Sequence, residues 1–294
     1  GILGAELMNN FKEQAEKFGT KIIAKIVTRV EFLAPTPPSH PPLSPLGQGG
    51  KSAGRGGNKI ISPPLGGGVR GGAPFSFKIW CDDELYESKS VIISTGASAQ
   101  RLGLENEKLL YGKGVSACAT CDGFFFKNKT VVVVGGGDTA MEEATFLTKF
   151  ASKVYVVHRK DVLRASKPMQ ERAMNNPKIE FIMNTVVKGI LGVNIGRVTG
   201  VVLNNLITNQ LNNLSCDGLF AAIGHKPNTK LFQGQLELDQ KGYVITRPGT
   251  TMTSIDGIFA SGDCADHKYR QAITAAGTGC QAAIDAEHWL EAQK

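Results

Sequence analysis

VVVVGGGDTA, residues 131–140, is the stretch whose reading decides the fold. Its four valines are all apolar, which marks a strand buried in a parallel sheet. Gly135, Gly137 and Ala140 then match the pattern G-x-G-x-x-G/A, with Gly136, Asp138 and Thr139 completing the turn. Small residues in that pattern let the backbone approach a pyrophosphate at a helix N-terminus. GGGDTAMEEATFLTKF reads as the turn and its helix, and KVYVV at 153–157 as the next strand. Together they make a βαβ unit inside an α/β protein. A tight strand-to-helix turn without a ligand would give the same local pattern, but the strand before and the helix after are the context the motif demands.

The end of the second strand carries the next signal. A site for NAD would place Asp or Glu there, against the ribose hydroxyls. This chain has His158, Arg159 and Lys160, with Arg164 four residues on. Such a basic cluster suits a 2′-phosphate, for which Arg supplies bidentate geometry. The expected nucleotide is NADPH; the bland alternative is a solvated basic loop.

Upstream stands Cys118-Ala119-Thr120-Cys121-Asp122. A CxxC in a reducing compartment is redox-active or half of a metal site. Zinc would need two more ligands at suitable spacing, and Cys216, Cys264 and Cys280 stand apart, with no second CxxC or Cys/His pair. The redox reading is the better one, and no metal is expected. Asp122 could act as general acid to a leaving thiolate, or simply form a turn before Gly123. The other four cysteines, Cys81 included, are expected to be inert core residues.

Near the C-terminus, Ser261-Gly262-Asp263 follows an apolar strand, and Tyr269-Arg270-Gln271-Ala272-Ile273 opens a helical stretch running to Leu290. The carboxylate could meet a sugar or ribityl hydroxyl, and the helix N-terminus a phosphate or ring edge. An Asp that caps the last helix would look the same.

The chain has 294 residues, 41% of them hydrophobic, which is enough for two ordinary domains. Its net charge of +7 would hint at nucleic acid, but residues 35–74 hold Lys51, Arg55, Lys59 and Arg70 and no acid. The rest of the chain is ordinary in charge, so no nucleic-acid partner is expected. Nine of the 13 prolines and 11 of the 35 glycines also fall in 35–74. Such a stretch is expected to be a disordered insertion. It separates strand-like KIIAKIVTRVEF (21–32) from FSFKIW (75–80) and VIIS (91–94), as within a hairpin. A Pro-rich partner ligand is the functional alternative, through PPLSP. Leu7, Met8, Phe11, Ala15 and Phe18 have helical spacing, ended by Gly19. No run approaches the roughly 20 apolar residues of a membrane span. The opening residues are amphipathic and charged, so no secretory signal is expected. Scattered cysteines point to the cytoplasm.

These residues together resemble the low-molecular-weight, bacterial-type thioredoxin reductases. The resemblance rests on SVIISTGASAQRLGL, GVSACATCDGFFF, VVVVGGGDTAMEEA, VHRKDVLRASK, AAIGHKPNT and FASGDCADHKYRQAITAAGTGCQAA, and covers residues 1–33 and 75–294. It implies that electrons pass from NADPH to FAD, to a Cys118–Cys121 disulfide, and on to thioredoxin. Cys121 would face the flavin, Cys118 would attack thioredoxin, and Asp122 would handle protons. Gly135–Ala140, Arg159, Lys160 and Arg164, with His158, Ile223 and Gly224, would serve NADPH. Thr95, Gly96 and Ala97, with Gly262, Asp263, Arg270, Gln271, Ala272 and Ile273, would belong to the FAD site. Two doubly wound α/β domains are implied: an FAD-binding type from 1–98 and 226–294, and an NADPH type from 99–225. In the family the NADPH domain rotates against the FAD domain, and the enzyme is a homodimer.

One departure qualifies these implications. Family members start with a strand and a G-x-G-x-x-G/A turn for the ADP half of FAD, which this sequence lacks. The expectation is an FAD domain short of one βαβ unit, roughly 30 residues, with an open apolar sheet edge and weakened FAD binding. That describes a truncated version of a longer enzyme or the product of a decayed gene. The alternatives are an inactive, flavin-free NADPH-binding remnant and a dithiol oxidoreductase with another protein partner.

Overall fold

The computed structural model describes residues 4–32 and 77–294. The Pro/Gly stretch 35–74 therefore lies outside the described residues. The chain divides into two compact units, one of Gly1–Gly96 with Pro227–Lys294 and one of Ala97–Lys226.

The first unit opens with α1 (Gly4–Lys17), whose Glu6 and Lys17 sit at the ends the helix dipole favours. An antiparallel sheet follows in the order β1 (Arg29–Glu31), β2 (Phe77–Cys81), β3 (Glu84–Ser88). Only three residues of the strand expected over 21–32 form one. The chain gains a ladder partner at Thr28, whose N–H donates to Trp80 O at 2.8 Å, and residues 20–28 have no regular structure. β4 (Val91–Ile93) then leads out of this unit.

The second unit takes in β5 (Ala97–Ala99), α2 (Glu107–Leu110), β6 (Val115–Ser116) and α3 (Ala119–Asp122), and then the βαβ unit. That unit is β7 (Thr130–Val134), α4 (Asp138–Leu147) and β8 (Lys153–Val157), continued by α5 (Lys167–Met174) and β9 (Ile179–Ile182). A meander of β10 (Thr185–Leu191), β11 (Gly200–Asn205) and β12 (Leu211–Ser215) precedes β13 (Gly218–Ala221) and β14 (His225–Pro227). The main sheet has the order β6-β13-β7-β8-β9, all parallel. Chain order reverses between β7 and β13, the place where open α/β sheets bind ligands.

The valines explain this centre. Val131 and Val133 pack with Met141, Ala144 and Phe220 on one face, and Val132 with Leu219, Ile190 and Val201 on the other. All three valines are fully buried, each stabilising by roughly 1.5–3 kcal/mol. Phe126 meets Phe220 edge-on at 5.1 Å. The buried Glu107 carboxylate accepts the N–H groups of Leu102, Gly103 and Leu104 (3.0, 2.9 and 3.4 Å), which satisfies its charge.

The chain returns to the first unit with β15 (Ile258–Ala260), parallel to β4, and α6 (Ala272–Ala292). The helix starts three residues later than the sequence suggests. The Asp266 carboxylate accepts the N–H groups of Lys268, Tyr269 and Arg270 and holds Arg270 at φ +50°. A Gln271/Thr274 capping box then starts the helix. Cys81, Cys216 and Cys264 are buried as expected, whereas Cys280 is exposed on α6, the helix burying Ala282 and Ala286 instead. Among the described residues no helix is long and apolar enough to cross a membrane.

Candidate functional site

Cys118 and Cys121 are joined as a disulfide on a short helical turn in the second unit. Cys118 is its N-cap and is half-buried; Cys121 is exposed. The Cys121 N–H points at Cys118 Sγ (3.2 Å), and Thr120 Oγ1 lies 3.3 Å from the same sulfur. Two donors and a helix N-terminus would therefore stabilise a thiolate at Cys118 once the bond is reduced. Half-buried Asp122 follows directly and makes no capping bond to the next turn. Phe124 and Phe125 are exposed beyond it.

The glycine turn lies in the same unit, at the carboxyl end of β7. A Cβ on Gly135 would lie 2.4 Å from Ala222 O and 2.7 Å from Ala140 Cβ, so the motif's small residues are set by β7–β13 and helix packing. A Cβ on Gly137 would meet nothing within 4 Å, and the α4 N-terminus is open to a ligand there. Arg159, Lys160 and Arg164 are exposed, and none is ion-paired with another described residue. Ile223 and half-buried Gly224 follow β13, Gly224 at φ +105° with its carbonyl accepting the Gln100 N–H.

His158 departs from the clamp expected of it. The residue is 5% exposed, and its ring lies so close under Gly136 that a Cβ there would be 2.3 Å from it. One ring nitrogen sits 3.1 Å from Val162 O. Burial, with Arg164 and Arg159 nearby, holds its pKa below the usual histidine value. The covered ring packs beneath the turn, while Arg159, Lys160 and Arg164 face solvent.

In the first unit a cleft of about 420 Å³ is lined by Ser94, Gly96, Ser261, Gly262, Asp263, Gln271, Ala272, Ala275 and Gly279. Gly96 and Gly262 turn at φ +70° and +68°, and Ser94 and Ser261 hydroxyls meet at 2.7 Å. Burial and the nearby Asp266 push the Asp263 carboxyl up, against Arg270. Burial also raises Asp266, but its backbone donors and Thr274 outweigh that and leave it lowered. Gly96, Gly262, Asp263, Gln271 and Ala272 thus come together. Thr95, Ala97, Arg270 and Ile273 do not line the cleft, and Ile273 is 80% exposed. The cleft pairs the N-terminus of a 21-residue helix, which suits a phosphate, with a partly buried carboxylate, which suits a hydroxyl.

Several contributors escape a reading by motif. Ser94, Ser261, Ala275 and Gly279 complete the cleft, and Ala272, Ala275 and Gly279 share one helix face at i, i+3 and i+7. Thr120 beside Cys118 and Ser166 beside Asp138 are contacts between side chains that sequence cannot show. A second cleft of about 330 Å³, with Gln100, Arg101 and Glu107 on its wall, lies beside Ala117 and Ala221 at the ends of β6 and β13.

Residues 75–279 match the pyridine nucleotide-disulphide oxidoreductase family. Thioredoxin reductase 2 of Arabidopsis thaliana is 47% identical over 298 residues, covering 99% of this chain and 67% of the relative. The chain belongs to the thioredoxin reductase family. Streptomyces coelicolor thioredoxin reductase is 45% identical over 99% of this chain and 78% of its own length. That of Mycolicibacterium smegmatis is 55% identical over 72% of this chain and 67% of its own. The crystal structure of Streptococcus pyogenes thioredoxin reductase superposes with a TM-score of 0.80 at 36% identity, covering 99% of this chain and 81% of that one. These thioredoxin reductase relatives share the α/β class with parallel, nucleotide-binding sheets that the sequence led us to expect.

Proposed function

We propose that the chain is an NADPH-dependent flavoprotein reductase acting on the disulfide of thioredoxin. The observation that carries this reading is the Cys118–Cys121 disulfide, on a turn that stabilises one sulfur, in the same unit as a glycine turn flanked by free basic side chains. Family membership favours this activity over a flavin-free remnant or a dithiol enzyme with another partner.

The Ala97–Lys226 unit is the NADPH domain in this reading, and the unit holding the cleft is of the FAD type. The Gly135–Gly137 turn at the α4 N-terminus would take the pyrophosphate of NADPH, and Arg159, Lys160 and Arg164 its 2′-phosphate. Gly96, Gly262, Asp263, Gln271 and Ala272 would hold FAD. A flavin held there would supply the redox chemistry that links NADPH to the disulfide.

The chain's own residues complete the cycle. Reduction with two electrons and two protons opens the Cys118–Cys121 bond. The Cys118 thiolate, held by the Cys121 N–H and the Thr120 hydroxyl, attacks one sulfur of the partner disulfide and expels the other as a thiolate. Cys121 then attacks Cys118 Sγ, which restores the intramolecular bond and frees the second partner sulfur. Asp122 supplies a proton to a departing thiolate. The other four cysteines are unpaired, in keeping with a reducing, cytoplasmic setting, and the family resemblance supports a homodimer.

The test is Cys118→Ser. It should abolish thioredoxin reduction while NADPH still bleaches the flavin; unchanged thioredoxin turnover would overturn the assignment.

A further inference from the structure

The segment carrying the basic cluster is tied to the glycine turn by bonds that the nucleotide motif does not include. Gly136 O accepts the N–H groups of Arg164 and Ala165 at 2.6 and 3.0 Å. Asp138, the first residue of α4, turns its carboxylate away from the helix end toward Ser166. Its Oδ1 accepts both the Ser166 N–H (2.7 Å) and the Ser166 hydroxyl (2.8 Å). Below, the His158 ring wedges against Gly136 and meets Val162 O. Residues 158–166 are thus strapped at both ends, while Arg159, Lys160 and Arg164 stay exposed on the loop between.

An acid at this position calls for an explanation. A carboxylate in the first turn of α4 competes with any phosphate drawn to that helix end. Both bonds from Ser166 pull the charge aside, and they depress the Asp138 pKa, the backbone N–H more than the hydroxyl. The pairing also decides where Arg164 stands, since Arg164 lies two residues before Ser166. Long basic side chains on a loose loop would lose rotamer and backbone freedom on binding a phosphate, and a loop already pinned loses less.

We propose that Asp138 and Ser166 form a clasp that positions Arg164 and its neighbours, and thereby sets the preference for a 2′-phosphorylated nucleotide. They are positioning residues, not ligands. The proposal rests on the reading of this turn as the NADPH site.

The test is calorimetric titration of the full chain with 2′,5′-ADP and with 5′-AMP, which differ only in the 2′-phosphate. Wild type should prefer 2′,5′-ADP. Asp138→Ala and Ser166→Ala should each lower that preference about 3- to 10-fold, the effect of one net hydrogen bond, and in Ser166→Ala, which leaves the turn itself untouched, 5′-AMP binding stays unchanged. Asp138→Asn keeps the Oδ1 acceptor and should restore most of the preference. Arg164→Ala separates the two levels of the argument. If Arg164→Ala loses the preference while Asp138→Ala and Ser166→Ala keep it, the NADPH reading stands and the clasp is refuted. Equal weakening of both nucleotides in the clasp variants would show a general structural role and also refute it. If wild type shows no preference, or Arg164→Ala changes nothing, the NADPH reading itself fails and the clasp with it.

Discussion

Two glycines of the turn, Gly135 and Gly137, should respond to alanine in opposite ways. On Gly135 a methyl would sit 2.4 Å from Ala222 O, where an ordinary contact needs roughly 3.5 Å. The obstacle is backbone in the β7–β13 pair and cannot rotate aside, so these strands must part by about an ångström. Overpacking of this kind costs about 1–3 kcal/mol, and a rigid obstacle places Gly135→Ala at the upper end. For a unit of this size, about 3 kcal/mol lowers the midpoint by roughly 6–12 °C. On Gly137 a methyl meets nothing within 4 Å, and the backbone (φ -97°, ψ -177°) suits any residue. The gain of about 0.4–1 kcal/mol from a stiffer unfolded chain is offset by the roughly 0.5–1 kcal/mol lost when alanine replaces glycine at an N-cap. Gly137→Ala should therefore melt within about 2 °C of wild type. Its methyl stands where the pyrophosphate would approach, so NADPH affinity should fall about tenfold. Thermal unfolding without nucleotide, repeated with saturating NADP, reads both effects. The reasoning fails if Gly135→Ala melts like wild type, or if Gly137→Ala loses as much stability as Gly135→Ala.

Two further predictions concern single side chains. Thr120→Val removes the hydroxyl 3.3 Å from Cys118 Sγ. Thioredoxin reduction should slow about 3- to 10-fold, with the pH profile of Cys118 alkylation in reduced protein moved upward; an unmoved profile would count against the donor role. Burial, with Arg164 and Arg159 nearby, holds the His158 pKa below the ordinary histidine value of 6.5. The unfolded chain takes up this proton near 6.5 and the folded chain only at lower pH, so the unfolded state binds more protons in that window. Stability should fall as pH drops below 6.5 until the folded imidazole titrates. His158→Asn should flatten that part of the melting-point profile; equal slopes in the two proteins would contradict the burial argument.

The sequence revealed those parts of the molecule that rest on local pattern. Four valines announce a strand covered on both faces because alternate side chains feed two different cores. The CxxC pair and the glycine turn are legible because backbone geometry there tolerates few residue types. What depends on a partner distant in the chain was hidden. Residues 21–28 have the composition of a strand, but the ladder with β2 starts only at Thr28–Glu31. Nothing in HRK told that the histidine turns inward while Arg159 and Lys160 face solvent. Asp138 and Ser166 are 28 residues apart, and only the fold makes them neighbours. Cys280 looked like the other scattered cysteines, but the helix that carries it packs through Ala282 and Ala286.

The most direct test of the central claim is thioredoxin-dependent oxidation of NADPH by the purified chain supplied with FAD. The account predicts NADPH consumption that requires oxidised thioredoxin, is lost in Cys118→Ser and is far slower with NADH. If NADPH bleaches the flavin but thioredoxin draws no electrons through an intact Cys118–Cys121 pair, the assignment of this chain as a thioredoxin reductase is contradicted.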